Sequence, residues 1–405
     1  MMRTPIRILI APNAYKNSLS ARDAAEAIRA GLEQSGLSCS CECHPIADGG
    51  DGTGTLLIEW FGGSTIDLMV DDPFGRAITA SYGYVMPGGR GMSEGRGMRE
   101  EDGKPGEDPG SDRIAVIEMS AASGLRLLRT EDLNPLQASS TGTGQLIAAA
   151  LDKGARQILL AVGGTATVDG GIGILHMLGA RFINADGNVL PPVPGRLAEL
   201  VRIDLDGLHP KILDSKLTIL CDVDNFLLGD NGSAAVFGPQ KGASPAMVEQ
   251  LDAALSHLRD IALATTGRDM AAVRYGGAAG GSAAGLYAIL NAELVNGADQ
   301  FLRLTDFDTR LDRSDLVITG EGSIDAQTLQ GKGPFAVAQW ARDRGIPVVG
   351  LAGKVPAVSD PRLQAFFQVL LAIGNGPTDL QEAIRSTGAG LTRTAAAVGA
   401  LLALG

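Results

Sequence analysis

At 405 residues the chain exceeds the size at which a single hydrophobic core stops growing, so two domains are the default. A net charge of −12 repels nucleic acid and anionic lipid at long range, which argues against both as partners. With 45% hydrophobic and 20% charged residues, a disordered chain is excluded as well.

The start holds an apolar run too short for the core of a signal peptide, and no stretch approaches ~20 apolar residues. Neither a signal nor a membrane span is therefore expected, and the location expected is cytoplasmic. A strand is predicted at 6–11, a polar loop at 12–19, and an Ala-rich helix to about Gly36, opened by a capping box from Ser20 to Asp23. The next strand, 39–45, places Cys39, Cys41 and Cys43 on one face. Their alternation offers no gap for thiolates to converge on a metal. They read instead as small buried hydrophobes of a core strand in a reducing compartment. Asp48-Gly49-Gly50 follows at once, then a helix to about Trp60.

The stretch 87–112 is rich in Gly, Glu, Arg and Asp and reads as a mobile surface insertion. A buried strand follows at 114–119. Strand 157–162 leads into Gly163-Gly164-Thr165-Ala166-Thr167, a second Asp-Gly-Gly turn at Asp169, and a helix through Leu178. Strand 217–221 leads into Asp222-Val223-Asp224-Asn225. Strand 315–319 leads into a glycine-flanked Glu321 and Asp325, with a helix from Pro334. Strands at 348–352 and 367–372 and a long Ala-rich helix close the chain. Alternating strands and helices indicate an α/β protein with mostly parallel sheets, whose ligands collect at the carboxyl ends of strands. Each glycine- and acid-rich motif lies just after a strand.

Glycine, at 55 residues, is about twice as common as the usual ~7%. In post-strand turns it bares backbone N–H groups to an anion, and helix N-termini add partial positive charge. Gly163, Gly164 and Thr165 are thus candidate phosphate contacts, and so are Thr141 and Gly142 at another helix start. No Walker A pattern and no G-x-G-x-x-G after a strand occurs, which excludes an ordinary P-loop enzyme and a standard dinucleotide binder. Asp222, Asp224, Glu321 and Asp325 offer the hard oxygen ligands Mg²⁺ prefers. Lys16, Lys241 and Lys332, in glycine-rich loops of an acidic protein, are candidates for phosphate or carboxylate. The four histidines show no triad arrangement, and His176 reads as packing. This inventory suits phosphoryl transfer, which needs positioning, metal ions and cationic or backbone donors more than covalent chemistry.

The blocks IAPNAYKNSLSA (10–21), PIADGGDGT (45–53), STGTGQLI (140–147), VGGTATVDGG (162–171), CDVDN (221–225), FGPQKGA (237–243) and VITGEGSIDAQTLQGK (317–332) closely resemble the type I glycerate kinase family. The resemblance spans nearly the whole chain outside 87–112. It departs at Asn13-Ala14, where the family has Asp-Ser, and at Val168, Phe226, Gln330 and the glycine run 275–281.

The resemblance implies ATP- and Mg²⁺-dependent phosphorylation of D-glycerate, usually to 2-phosphoglycerate. It also implies two α/β domains, one flavodoxin-like, with the active site in the cleft between them. The implied arrangement is discontinuous: 1–70 with 290–405, interrupted by 71–289. On this reading Asp169 is the first candidate for general base and Asp48 its rival, with Lys16 beside them. Asn13, Lys16, Ser18, Asp48, Gly49, Gly50 and Lys332 would hold the substrate. Thr141, Gly142, Gly163, Gly164, Thr165 and Lys241 would hold ATP. The expected partners are glycerate and ATP, with neither nucleic acid nor membrane, in a monomer or homodimer. The alternatives are a kinase for another hydroxy or sugar acid, and a non-catalytic nucleotide or sugar-acid sensor. A D-x-D phosphatase fits less well, because Asp224 is followed by Asn225-Phe226.

Overall fold

The structure is a computed structural model that describes residues 5–86, 113–326, 328–358, 360–376 and 378–404. The expected insertion at 87–112 lies outside them. In chain order the strands are β1 (Ile6–Ile10), β2 (Cys39–Cys43), β3 (Ser64–Asp71), β4 (Ala77–Val85), β5 (Ile114–Glu118), β6 (Gln157–Ala161) and β7 (Arg181–Ile183). There follow β8 (Arg202–Asp204), β9 (Lys216–Cys221), β10 (Glu293–Asn296), β11 (Leu316–Ser323), β12 (Val348–Lys354) and β13 (Val369–Ala372).

The chain forms two compact units, Met1–Asp48 with Ala298–Gly405, and Gly49–Gly297. The first is therefore built from both ends of the sequence, but its borders differ from those expected. Residues 49–70 belong to the second unit because β3 pairs with β4 along its whole length, Ser64 opposite Tyr84 and Asp71 opposite Ala77. Helix Thr53–Phe61 lies on the same hairpin, where Gly83 leaves space for Ile58. At the other border, β10 stays with the second unit by pairing with β9.

In the first unit the sheet order is β2-β1-β11-β12-β13, every pair parallel. This is the flavodoxin-like order. Strands covered on both faces read as unbroken apolar runs, and Ile8, Leu9 and Ile10 of β1 are fully buried. Helix Ala21–Gln34 starts as its capping box predicts, with Ser20 Oγ accepting from Asp23 N. It lies against helix Thr387–Leu404 so closely that a Cβ on Gly31 would stand 2.2 Å from Thr392 O. The closing helix reaches the length and hydropathy of a membrane span, and this seam accounts for its buried side. The strand order reverses between β1 and β11, so their carboxyl ends flank the topological switch point where such sheets bind ligands. Strand β2, by contrast, is an edge strand. Its three cysteines pack against the first unit's core as expected but are half-buried, which corrects only the expectation of full burial.

In the second unit the order is β10-β9-β6-β5-β4-β3. The first four are mutually parallel, and β4 is antiparallel to both neighbours. The short antiparallel pair β7-β8 stands apart. The Gly163–Thr167 loop leaves the carboxyl end of β6 and Asp222 that of β9, so both lie at the ligand-binding edge of the parallel strands.

Candidate active site

Each unit carries its own cluster. In the first, the chain leaving β1 and the chain leaving β2 continue side by side. His44 N donates to Ile10 O and Ile46 N to Pro12 O. This alignment brings Asn13 against Asp48. Asn13 N donates to Gly320 O at 2.8 Å, Ala14 N donates to Asn13 Oδ1, and Asn13 Nδ2 donates to Asp48 Oδ2 at 2.8 Å. The amide is thus fixed by its own loop, and it holds a half-buried carboxylate in place.

Glu321, near the end of β11, is 8% exposed, and Thr328 Oγ1 donates to its Oε1 at 3.1 Å. Burial pushes its pKa up to about 7, Asp48 adds to the rise, and Lys332 and Lys16 oppose it. An unfolded Glu321 would ionise near 4.5. The fold therefore favours the protonated form, and that stabilisation is lost as pH rises from 4.5 through 7. Glu321→Gln, which stays neutral, should be more stable than the wild type above pH 7, by about 1–3 kcal/mol. Denaturant titrations at pH 5 and pH 8 should show the gap widening with pH; an equal gap at both would refute the assignment.

Lys16 is exposed beside Asn17, whose φ of 64° marks a tight turn, and Lys332 is the N-cap of helix Gly333–Arg342. Ser18, expected at the substrate, instead donates its hydroxyl to Ile384 O at 2.7 Å. Asp325 accepts from Ser323 Oγ and stands at the turn closed by Thr328. Tyr15, which motif reading passed over, is buried and donates to Leu351 O at 2.6 Å, bracing the loop that carries Lys16. His44 is buried between Phe301 and Phe307, and burial lowers its pKa to about 3. It serves as neutral packing.

In the second unit, Gly163 sits where a Cβ would stand 2.5 Å from Gly50 Cα and 3.0 Å from Asp222 Oδ2. The bare backbone is what lets the loop pass beside that carboxylate. Lys241 is 4% exposed and donates to Thr165 Oγ1 at 3.1 Å and Thr167 O at 2.7 Å. Burial lowers its pKa to about 8, against the pull of Asp169 and Asp222. It therefore ties the loop from beneath, whereas the sequence placed it on the phosphates. The fully buried Thr167 hydroxyl has no hydrogen-bond partner.

Asp169 occupies a different position from the one expected of a base. It is fully buried. Oδ2 accepts from Ser140 N (2.8 Å), Ser140 Oγ (2.7 Å) and Gly173 N (3.3 Å), and Oδ1 from Gly171 N (3.0 Å) and Ser282 Oγ (3.4 Å). The carboxylate joins the starts of helices Thr141–Asp152 and Ile172–Met177. Burial raises its pKa, and these donors pull against the rise. With both oxygens engaged by protein, it is a structural anchor. The same network occupies the helix start at Thr141. Gly142 is a packing glycine, since a Cβ there would stand 1.9 Å from Asp71 O. Gly49 is engaged too: its N–H donates to Thr53 Oγ1 and its carbonyl accepts from Gly163 N.

Asp224 pairs loosely with Arg274 at 3.8 Å. Asp51, in the first Asp-Gly-Gly motif's extension, pairs with Arg126 at 3.1 Å, while its Oδ1 is buried without a partner. The four predicted metal ligands divide between the units, Asp222 and Asp224 in one, Glu321 and Asp325 in the other. Among the described residues no group of three or more His, Cys, Asp or Glu side chains could hold a metal ion by itself.

A family model described as the glycerate kinase family matches residues 8–403. The chain belongs to the glycerate kinase family. Relatives named glycerate kinase in Bacillus subtilis (strain 168) and glycerate 2-kinase in Escherichia coli (strain K12) are each 38% identical. The first alignment covers 98% of both chains and the second 99% of both. A crystal structure from Salmonella typhimurium LT2, described as a glycerate kinase 2, superposes with a TM-score of 0.79 at 36% identity, over 98% of each chain. The protein is thus a kinase of this family, with mixed α/β units and mostly parallel sheets.

Proposed function

We propose that the protein transfers the γ-phosphoryl group of ATP to a hydroxyl of D-glycerate, giving 2-phosphoglycerate and ADP. The observation that carries this reading is the first unit's cluster, where Asp48 and Glu321 share the switch point with Lys16 and Lys332. A small hydroxy acid needs a cation for its carboxylate and a base for its hydroxyl proton. Lys16 and Lys332 supply the first, and Asp48, oriented by Asn13, supplies the second. The names of the relatives support glycerate as the acid.

The Gly163–Thr165 loop is assigned to the nucleotide phosphates, with Lys241 holding its shape and Asp222 beside it. The donor set fits Mg²⁺, which keeps several waters and binds through one or two carboxylates together with phosphate oxygens. Asp222 is the residue that would hold it, and when bound the ion would neutralise charge on those oxygens.

Incubation with Mg-ATP should consume ATP only when D-glycerate is present, and phosphorus NMR should identify the product as 2-phosphoglycerate. No glycerate-dependent ATP consumption would sink the reading; a 3-phosphate product would correct the regiochemistry alone. Lys241→Met removes two hydrogen bonds that shape the loop and should raise KM for ATP by about three- to tenfold through the loosened loop, leaving KM for glycerate nearly unchanged. An unaltered KM for ATP would remove the loop from the nucleotide site.

A further inference from the structure

Cys39 and Cys41 stand opposite Ile6 and Ile8 on the edge strand of the first unit's sheet. Their sulfurs are 3.7 Å apart, both side chains are half-buried, and both are free thiols. Forming a disulfide would require closing that distance to ~2.05 Å, and same-face residues of one strand hold their Cα atoms ~6.6 Å apart, near the upper limit of disulfide geometry. The spacing suits a single bridging soft atom instead. Two bonds to sulfur of ~2.3 Å place the sulfurs ~3.4 Å apart at the narrow angle of a pyramidal centre and ~3.8 Å at a tetrahedral one, within a few tenths of an ångström of the observed separation. A metal ion that requires three or four protein ligands lacks them here, since no such group exists among the described residues. A trivalent metalloid that carries its own organic group needs only two thiols.

We propose that Cys39 and Cys41 form a dithiol clamp for monosubstituted trivalent arsenicals. With an arsenoxide the two S–H bonds break and two As–S bonds form. Both protons pass to the arsenic-bound oxygen, which leaves as water, and no oxidation state changes. Burial pushes the Cys41 thiol up to about 12 and Cys43 up to about 11. Attack by Cys41 alone is therefore slow, and its capture depends on a second thiol already beside it. Cys43, next on the same face, is turned toward Ala25 O at 3.7 Å and stands outside the clamp.

The test uses the full chain, reduced until a denatured sample titrates four free thiols, and treated in the folded state with one equivalent of phenylarsine oxide. Intact mass should increase by one phenylarsenic group less two hydrogens. A dithiol should reverse the adduct and a monothiol should not. Cys39→Ser and Cys41→Ser should each lose the adduct, while Cys43→Ser and Cys221→Ser keep it. Peptide mapping of the wild type should place the bridge between Cys39 and Cys41, which decides the matter even if a variant fails to fold. No adduct on the reduced wild type, or a bridge mapped to any other pair, overturns the proposal. Because the readout is mass, it does not depend on the kinase reaction.

Discussion

Asp48→Asn is expected to lower glycerate-dependent turnover by about 10²–10⁴-fold, the range that general base catalysis contributes, with little change in melting temperature. The exchange is nearly isosteric. Asn13 Nδ2 donates to Asp48 Oδ2, and the carbonyl oxygen of an asparagine can accept the same bond, so the local frame survives while the proton acceptor is lost. Removing a group that acts in the transition state should depress kcat and leave KM for glycerate within a few-fold. A rise in KM at constant kcat would instead make Asp48 a binding residue. Turnover within about tenfold of wild type would eliminate it as the base.

The alternation of apolar runs with helices made the α/β class legible in the sequence, and the post-strand position of each motif did the same for the ligand-binding edge. What stayed hidden depended on contacts distant along the chain. Asp48 and Asp169 head the same tripeptide, and no local signal separates them. Ser140 and Ser282, which engage Asp169, lie 29 and 113 residues away. Glycine was ambiguous for a related reason. Gly49 has a φ of 94° and packs where a Cβ would stand 2.4 Å from Leu220 O, so its small size serves a chain crossing rather than an anion. The border near 48 was missed because β3 declares its unit only by pairing with β4. Alternation in β2 was visible, but whether a strand is central or at an edge is a property of the sheet.

Asp169→Asn should act on stability where Asp48→Asn acts on rate. Ser140 N, Gly171 N and Gly173 N are backbone donors held by the helix starts and cannot turn away. An asparagine amide must present N–H toward at least one of them, leaving a donor facing a donor in a fully buried site. Unsatisfied buried donors cost about 1–3 kcal/mol each, and breaking a buried charged network about 3–5 kcal/mol. A loss of about 2–5 kcal/mol corresponds to a fall of roughly 5–15 °C in melting temperature for a unit of this size. Below that melting point the variant should keep kcat within about tenfold of wild type, because no oxygen of Asp169 is left to receive a substrate proton. The two variants together form a crossed test, scored by calorimetry and steady-state kinetics. If Asp169→Asn abolished turnover with its melting temperature intact, the roles of the two carboxylates would have to be exchanged.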